Sequence, residues 1–158
     1  MSANKNHLTS KIVALSLSVL GLTSLASNSF AQNVTVDPGA GSYATLKDAF
    51  DAINAGTHTG ALSVTIVNDT AEAASAVLNA SGFGSASYNS IVVNPTGART
   101  VSGTISGHLI DLNGAKNVTI DGLNSGGNSL TIVNTSATAS NSVLTTSVIE
   151  MLTKRELS

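Results

Sequence analysis

Ser63-Val64-Thr65-Ile66-Val67-Asn68 is a β-branched run closed by Asn, and it recurs. It returns as Ser90-Ile91-Val92-Val93-Asn94, as Asn117-Val118-Thr119-Ile120-Asp121-Gly122 and as Ser129-Leu130-Thr131-Ile132-Val133-Asn134. Short β-branched runs separated by small polar residues are the signature of stacked strands and turns. Val64 to Ile91 is 27 residues, and Ile91 to Val118 is another 27. That interval suits one coil of three strands and three turns. Leu130 follows Val118 by only 12 residues, so it reads as the next strand within a coil.

Outward from these runs, strands are expected at 63–67, 90–93, 109–112, 117–120 and 130–133, with weaker ones at 76–78 and 99–105. Corners fall at Ser81-Gly82-Phe83-Gly84, Pro95-Thr96-Gly97, Asn113-Gly114 and Ser125-Gly126-Gly127-Asn128. Four runs end in Asn68, Asn94, Asn113 and Asn134. Asn tolerates left-handed φ in turns, and its amide can also pair with an Asn one coil above.

Upstream, Asn33-Val34-Thr35-Val36 alternates as a strand and Asp37-Pro38-Gly39 ends it. Next comes the one amphipathic helix. Thr45 is its N-cap, with Asp48 three residues on. Leu46, Ala49, Phe50 and Ile53 form an i, i+3, i+4, i+7 stripe, and Gly56 is placed to end it. A helix directly ahead of a strand stack suits a cap over the first coil's open end. The expected fold is all-β: a right-handed parallel β-helix of about three coils with a short N-terminal capping α-helix. An antiparallel β-sandwich is the alternative, and it accounts less well for the 27-residue recurrence and the leading helix.

The chain has 158 residues, 10% charged and 3% aromatic, with no Cys. Disulfide scaffolds and thiolate metal sites are therefore excluded. A core must come from Val, Ile and Leu in thin layers, as solenoid coils provide. Residues 1–31 read as a secretory signal peptide. Lys5 and Lys11 open it, a 14-residue apolar run follows at 12–25, and Ser29-Phe30-Ala31 precedes the cleavage point. A membrane anchor would need about 20 apolar residues. Cleavage would leave five basic and nine acidic residues, a net charge of −4. No basic patch exists for nucleic acid or anionic lipid.

The organisation expected is signal peptide 1–31, strand and capping helix 32–60, coils 61–144, and an atypical tail 145–158. The tail carries four charged residues in its last nine, against ten in the 118 residues at 32–149. It reads as an amphipathic cap or, preferred here, as a stretch read out of frame in a longer gene.

Tyr43-Ala44-Thr45-Leu46-Lys47-Asp48-Ala49-Phe50-Asp51-Ala52-Ile53-Asn54, Leu109-Ile110-Asp111-Leu112-Asn113-Gly114-Ala115-Lys116-Asn117-Val118-Thr119-Ile120-Asp121-Gly122-Leu123 and Leu130-Thr131-Ile132-Val133-Asn134 carry a family likeness. Through them the chain resembles the N-terminal part of large bacterial secreted proteins with pectin-lyase-like parallel β-helices. That resemblance implies the fold. Its members include polysaccharide lyases, hydrolases, adhesins and scaffolds, so no activity follows.

Lyase chemistry needs carboxylates clustered on Ca²⁺ and a basic residue, and hydrolysis needs paired carboxylates across the bond. The candidates are Asp111 and Asp121, with Lys116 between and Arg99 upstream. Asp121 before Gly122 reads better as a turn former. Ser106, His108 and Asp111 could be imagined as a triad, but no nucleophile elbow accompanies them. His58, in a loop, and His108 read as solvent-facing, and neither has a neighbour at metal-ligand spacing. Gly39-Ala40-Gly41 and Gly82-Phe83-Gly84 lack the Lys of a phosphate loop. Asn-x-Ser/Thr triplets at Asn33, Asn68, Asn79, Asn117 and Asn134 are what chance gives in this composition.

The sequence is therefore read as a non-enzymatic, exported β-helix segment of structural or adhesive role at the cell surface. It has no catalytic, cofactor or metal residue to name. Its expected partner is a glycan or a surface protein, with self-association through the exposed C-terminal coil. A carbohydrate-active enzyme fragment lacking its catalytic coils is the alternative, and an inert product is a third.

Overall fold

The structure is a computed structural model that describes residues 31–39, 42–139, 143–145 and 150–152. Of the residues 1–31 read as a signal peptide, 1–30 lie outside the described residues. In chain order the elements are β1 (Gln32–Val36), α1 (Leu46–Asn54), β2 (Thr59–Ile66), β3 (Thr70–Glu72), β4 (Ala76–Val77), β5 (Ser87–Pro95), β6 (Ala98–Gly103), β7 (Ile110–Leu112), β8 (Val118–Asp121), β9 (Ser129–Asn134), β10 (Val143–Thr145) and β11 (Glu150–Leu152).

The chain visits three sheets in rotation. Sheet A has the order β1-β2-β5-β8-β11, sheet B is β3-β6-β9, and sheet C is β4-β7-β10. All strand pairs among the described elements are parallel. This is a parallel β-solenoid of about three turns with one short helix, and the antiparallel sandwich is ruled out. Glu150–Leu152, in the stretch read as atypical, pairs with β8 as a further strand of sheet A.

The register differs by two residues from the 27-residue spacing at one step. Val64 stacks on Val93, not Ile91, while Leu62, Ile91 and Val118 form the neighbouring column. The pairing jumps from Gly60↔Tyr88 to Ala61↔Ser90, which leaves Asn89 as an extra residue. A two-residue slip keeps every side chain on the same face of a strand, so the apolar pattern alone does not detect it.

Inward-facing aliphatics stack in columns. Val34, Val64, Val93 and Ile120 form one down sheet A, and all four are buried. Leu109, Ile110 and Leu112 line the sheet C side. Each such side chain contributes about 1.5–3 kcal/mol by leaving water. On sheet B the inward column is Thr70, Val101 and Ile132, followed by Glu72, Gly103 and Asn134. That second column is small or polar. Gly103 leaves no room for a Cβ, which would lie 2.5 Å from Leu109 Cδ1. The Asn134 amide accepts from the Ile105 N–H and donates to the Ile105 and Gly107 carbonyls, holding the next corner from inside.

Helix α1 lies where the strands of a preceding coil would cover sheets B and C. Leu46, Ala49, Phe50 and Ile53 are its buried stripe. The Thr45 hydroxyl accepts from the Asp48 N–H at 3.1 Å. Gly56, at φ +76, donates to Ile53 and Thr57 donates to Ala52, the paired bonds of a Schellman end. Asn54 then acts as a one-residue strand. Its Nδ2 donates to the Val77 carbonyl at 2.8 Å, and its Oδ1 accepts from the Asn79 N–H at 2.9 Å. Those are the upward-facing main-chain groups of β4 and its extension, which would otherwise be an open edge.

Candidate functional site

The outer face of sheet A is the broadest regular polar surface that this topology builds. Residues alternate between core and solvent along each strand, so the residues between the core columns form their own columns outside. Asn33, Ser63, Val92 and Thr119 make one, and Thr35, Thr65 and Asn94 make another. Adjacent rungs are about 4.8 Å apart. The Thr65 hydroxyl donates to Asn33 Oδ1 at 3.1 Å, which fixes two side chains on this face. Val92, 37% exposed, is an apolar step among hydroxyls and amides.

Corners bound this face. The Asp37 carboxylate accepts from the Gly39 N–H at 3.0 Å and from Asn68 Nδ2 at 2.7 Å. The Asn68 bond, then the Gly39 bond, holds the Asp37 pKa below its ordinary value. Asp121 ends β8 by accepting from the Leu123 N–H at 2.8 Å, the turn role its sequence context suggests. Ser125 and Asn128 close on each other with Gly126 and Gly127 at φ +61 and +81 between them, a tight hairpin turn.

Asp111 projects from β7 on sheet C and Asp121 from β8 on sheet A, so the two carboxylates belong to different faces. Lys116 is exposed in the corner between them. Arg99 lies on β6, where its Nη1 donates to the neighbouring Ala98 carbonyl at 3.3 Å and its Nε is buried without a partner. Ser106 is exposed, and the His108 carbonyl accepts from the Ser75 hydroxyl at 2.6 Å. Among the described residues, no group of three or more His, Cys, Asp or Glu comes together to hold a metal ion. No described helix is long and apolar enough to cross a membrane.

His58 departs from its sequence reading as a solvent-facing side chain. Its Nε2 lies 2.7 Å from the Tyr43 hydroxyl, the two rings meet edge to face, and its Nδ1 is buried. The pair bounds a 290 Å³ depression beside β1 with Asn33, Thr35 and Ser42. The Asn readings divide. Asn113 donates to Asn79 Oδ1 at 3.0 Å, a rung between successive turns. Asn68 bonds Asp37 and Asn134 bonds main chain, so their recurrence reflects corner chemistry and not one continuous ladder.

Two features escape sequence reading. Glu72, 4% exposed, sits on β3, a strand that apolar alternation misses because its inward residues, Thr70 and Glu72, are polar. The second is the cluster of polar groups around Ser81, Asn89 and Lys116, which come from three separate segments. No protein-family model, curated protein or solved structure matches the chain.

Proposed function

We propose that this chain is an exported, non-enzymatic β-helix segment with a structural or adhesive role at the cell surface. On this reading it is kin to the pectin-lyase-like repeat proteins its sequence resembles, and part of a larger protein. The solenoid serves as a rigid rod, and the outer face of sheet A serves as the docking surface for a glycan or a surface protein.

The supporting observation is the pair of in-register columns on that face, Asn33-Ser63-Val92-Thr119 and Thr35-Thr65-Asn94. Hydroxyls and amides on a stiff parallel sheet are pre-organised, so a partner does not have to order them on binding. Flat, polar and regularly spaced groups suit the hydroxyls of an extended glycan or the polar rim of a protein interface.

The test uses the full chain expressed with its own N-terminal segment in a secreting bacterial host. Cleavage near Ala31, appearance outside the cytoplasm and retention on insoluble polysaccharide or on cell envelopes are expected. Ser63→Glu with Thr65→Glu, outside the core, should abolish that retention. Cytoplasmic accumulation without cleavage would refute export. Absorbance rising near 235 nm, roughly where the conjugated product of lyase cleavage absorbs, during incubation with pectin and Ca²⁺ would replace the adhesive role with the enzymatic one.

A further inference from the structure

We infer that the upper edge of β1 is a docking site for one extended peptide segment of a partner protein, which adds to sheet A as a parallel strand over Val34. This concerns the edge of the sheet, so it stands apart from the outer face and from the adhesive reading. Sheet A begins at β1, whose one strand partner among the described residues is β2. In a parallel pair, successive residues turn their main-chain groups alternately to the two sides of the strand. The Val36 carbonyl accepts from the Val67 N–H at 3.0 Å, on the β2 side, and the Thr35 carbonyl accepts from the Tyr43 N–H at 3.0 Å, on the other side. The Asp37 N–H likewise faces away from β2 and donates to the Tyr43 carbonyl at 2.8 Å. By the same alternation the Asn33 N–H, the Asn33 carbonyl and the Thr35 N–H face away from β2. Among the described residues, no main-chain bond takes them.

Tyr43 thus occupies the pairing position opposite Val36 and leaves the one opposite Val34 open. A residue placed there would donate its N–H to the Asn33 carbonyl and accept from the Thr35 N–H, repeating the Tyr43 geometry two residues back along β1. The space for it exists. Asn33, Val34, Thr35, Ser42, Tyr43 and His58 line a depression of 290 Å³ at this place. The Tyr43 hydroxyl lies 2.7 Å from His58 Nε2, which holds the ring in that wall. Val34 and the Tyr43 ring make the lining partly apolar, so a small β-branched side chain suits it.

The edge carries none of the devices that keep strands apart. Exposed edges are blunted by Lys, Pro or a bulge, and Gln32-Asn33-Val34-Thr35-Val36 has none of these. The other two sheets are closed at this end by α1, with Glu72 bound to the Leu46 and Lys47 amides and Asn54 bound to Val77 and Asn79. That decides the occupant. A coil of a second copy would bring a strand to each sheet, and α1 stands where those for sheets B and C would go. A stable interface between folded proteins buries about 1,200 Å² or more. The free stretch of β1 runs only from Gln32 to Val34, about 10 Å of strand, before Tyr43 closes it. One extended segment fits that stretch and continues the pairing that Tyr43 begins.

The probe is an acetylated and amidated peptide with the sequence of residues 62–65, Leu-Ser-Val-Thr, the stretch that β2 already pairs in parallel with β1 from the other side. It is titrated to millimolar concentration into the full chain, and amide NMR and hydrogen exchange are followed. In the free chain the Asn33 and Thr35 amides should exchange fast, while those of Val34 and Val36, turned toward β2, are protected. Saturating peptide should slow Asn33 and Thr35 about tenfold and leave Asp37, already bonded to Tyr43, unchanged. N-methylation of the peptide's valine removes the N–H meant for the Asn33 carbonyl and should weaken binding about tenfold. N-methylation of its serine, whose N–H points away from β1, should leave binding as it was.

Protection of the Asn33 and Thr35 amides before any peptide is added would overturn the proposal, because the edge is then already occupied; protection that grows with protein concentration would assign it to a second copy. Equal loss on methylating either nitrogen would overturn the parallel pairing over Val34. Absence of any amide shift at millimolar peptide, or shifts confined to Ser63 and Thr119 on the outer face, would overturn the edge site and leave the sheet A reading to its own test.

Discussion

The carboxylate of Glu72 holds the start of a helix that lies 26 residues earlier in the chain. Its Oε1 accepts from the Leu46 amide at 2.9 Å and from the Thr70 hydroxyl at 3.1 Å, and its Oε2 accepts from the Lys47 amide at 3.0 Å. A helix start carries unsatisfied N–H groups and a partial positive charge. A buried carboxylate needs donors. Each solves the other's problem, and together they weld the cap to the first coil.

Glu72→Ala should therefore destabilise the fold by about 2–4 kcal/mol, because it leaves two helix amides without an acceptor next to the core. Glu72→Gln should cost less than Ala but remain destabilising, since its NH₂ would face an N–H donor. Urea unfolding of the two variants checks both the size and the order.

The far end of the helix depends on Gly56. Its φ of +76 is left-handed, and a Cβ there would lie 2.7 Å from the Ser85 carbonyl oxygen. Gly56→Ala should cost about 2 kcal/mol, and Gly56→Val more, through strain and the clash together. Thermal unfolding of both variants measures this.

Asn54 should act locally. Asn54→Ala removes the acceptor of the Asn79 amide and the donor to Val77, at a cost of about 1–2 kcal/mol. The specific expectation is faster hydrogen exchange at Asn79 than at amides bonded between turns, such as Ala76 and Leu78. A uniform change across the chain would mean that Asn54 does not close this edge.

Asp37 gives a pH signature. Its folded pKa lies below its unfolded value, chiefly because of Asn68. Its contribution is present above the unfolded value and is lost as pH falls through the folded one. Asn68→Ala should move the Asp37 titration, followed by carboxyl NMR, up toward the ordinary carboxylate value. Since Asp37 is solvent-exposed, stability near neutral pH should barely change.

Much of this architecture is legible in the sequence because it rests on short-range periodicity. The α1 stripe, its Thr45 cap and its Gly56 terminus are local signals, and the β-branched runs mark β2, β5 and β8 of sheet A and β9 of sheet B. β3 is not legible. Thr70 and Glu72 face inward to serve a helix distant in sequence, so burial there carries a polar signature. The step from Val64 to Val93 hides behind a two-residue slip that preserves face parity. The residues around the depression at Ser81, Asn89 and Lys116 come from separate turns, and no spacing in the sequence brings Ser81 and Lys116 into relation.

Successive turns stack in parallel, with Ser63 beside Val92 on the outer face of sheet A. The chain has no cysteine, so a pair introduced there reports without background. Paired positions on neighbouring parallel strands are about 4.8 Å apart, within the roughly 4.4–6.8 Å span a disulfide tolerates. Ser63→Cys with Val92→Cys should oxidise quantitatively to an intramolecular disulfide. Ser63→Cys with Ser90→Cys, the 27-residue pairing and about 7–8 Å apart, should stay reduced. Crosslinking of the Ser63 and Ser90 pair, with none for Ser63 and Val92, would contradict the stacking described above.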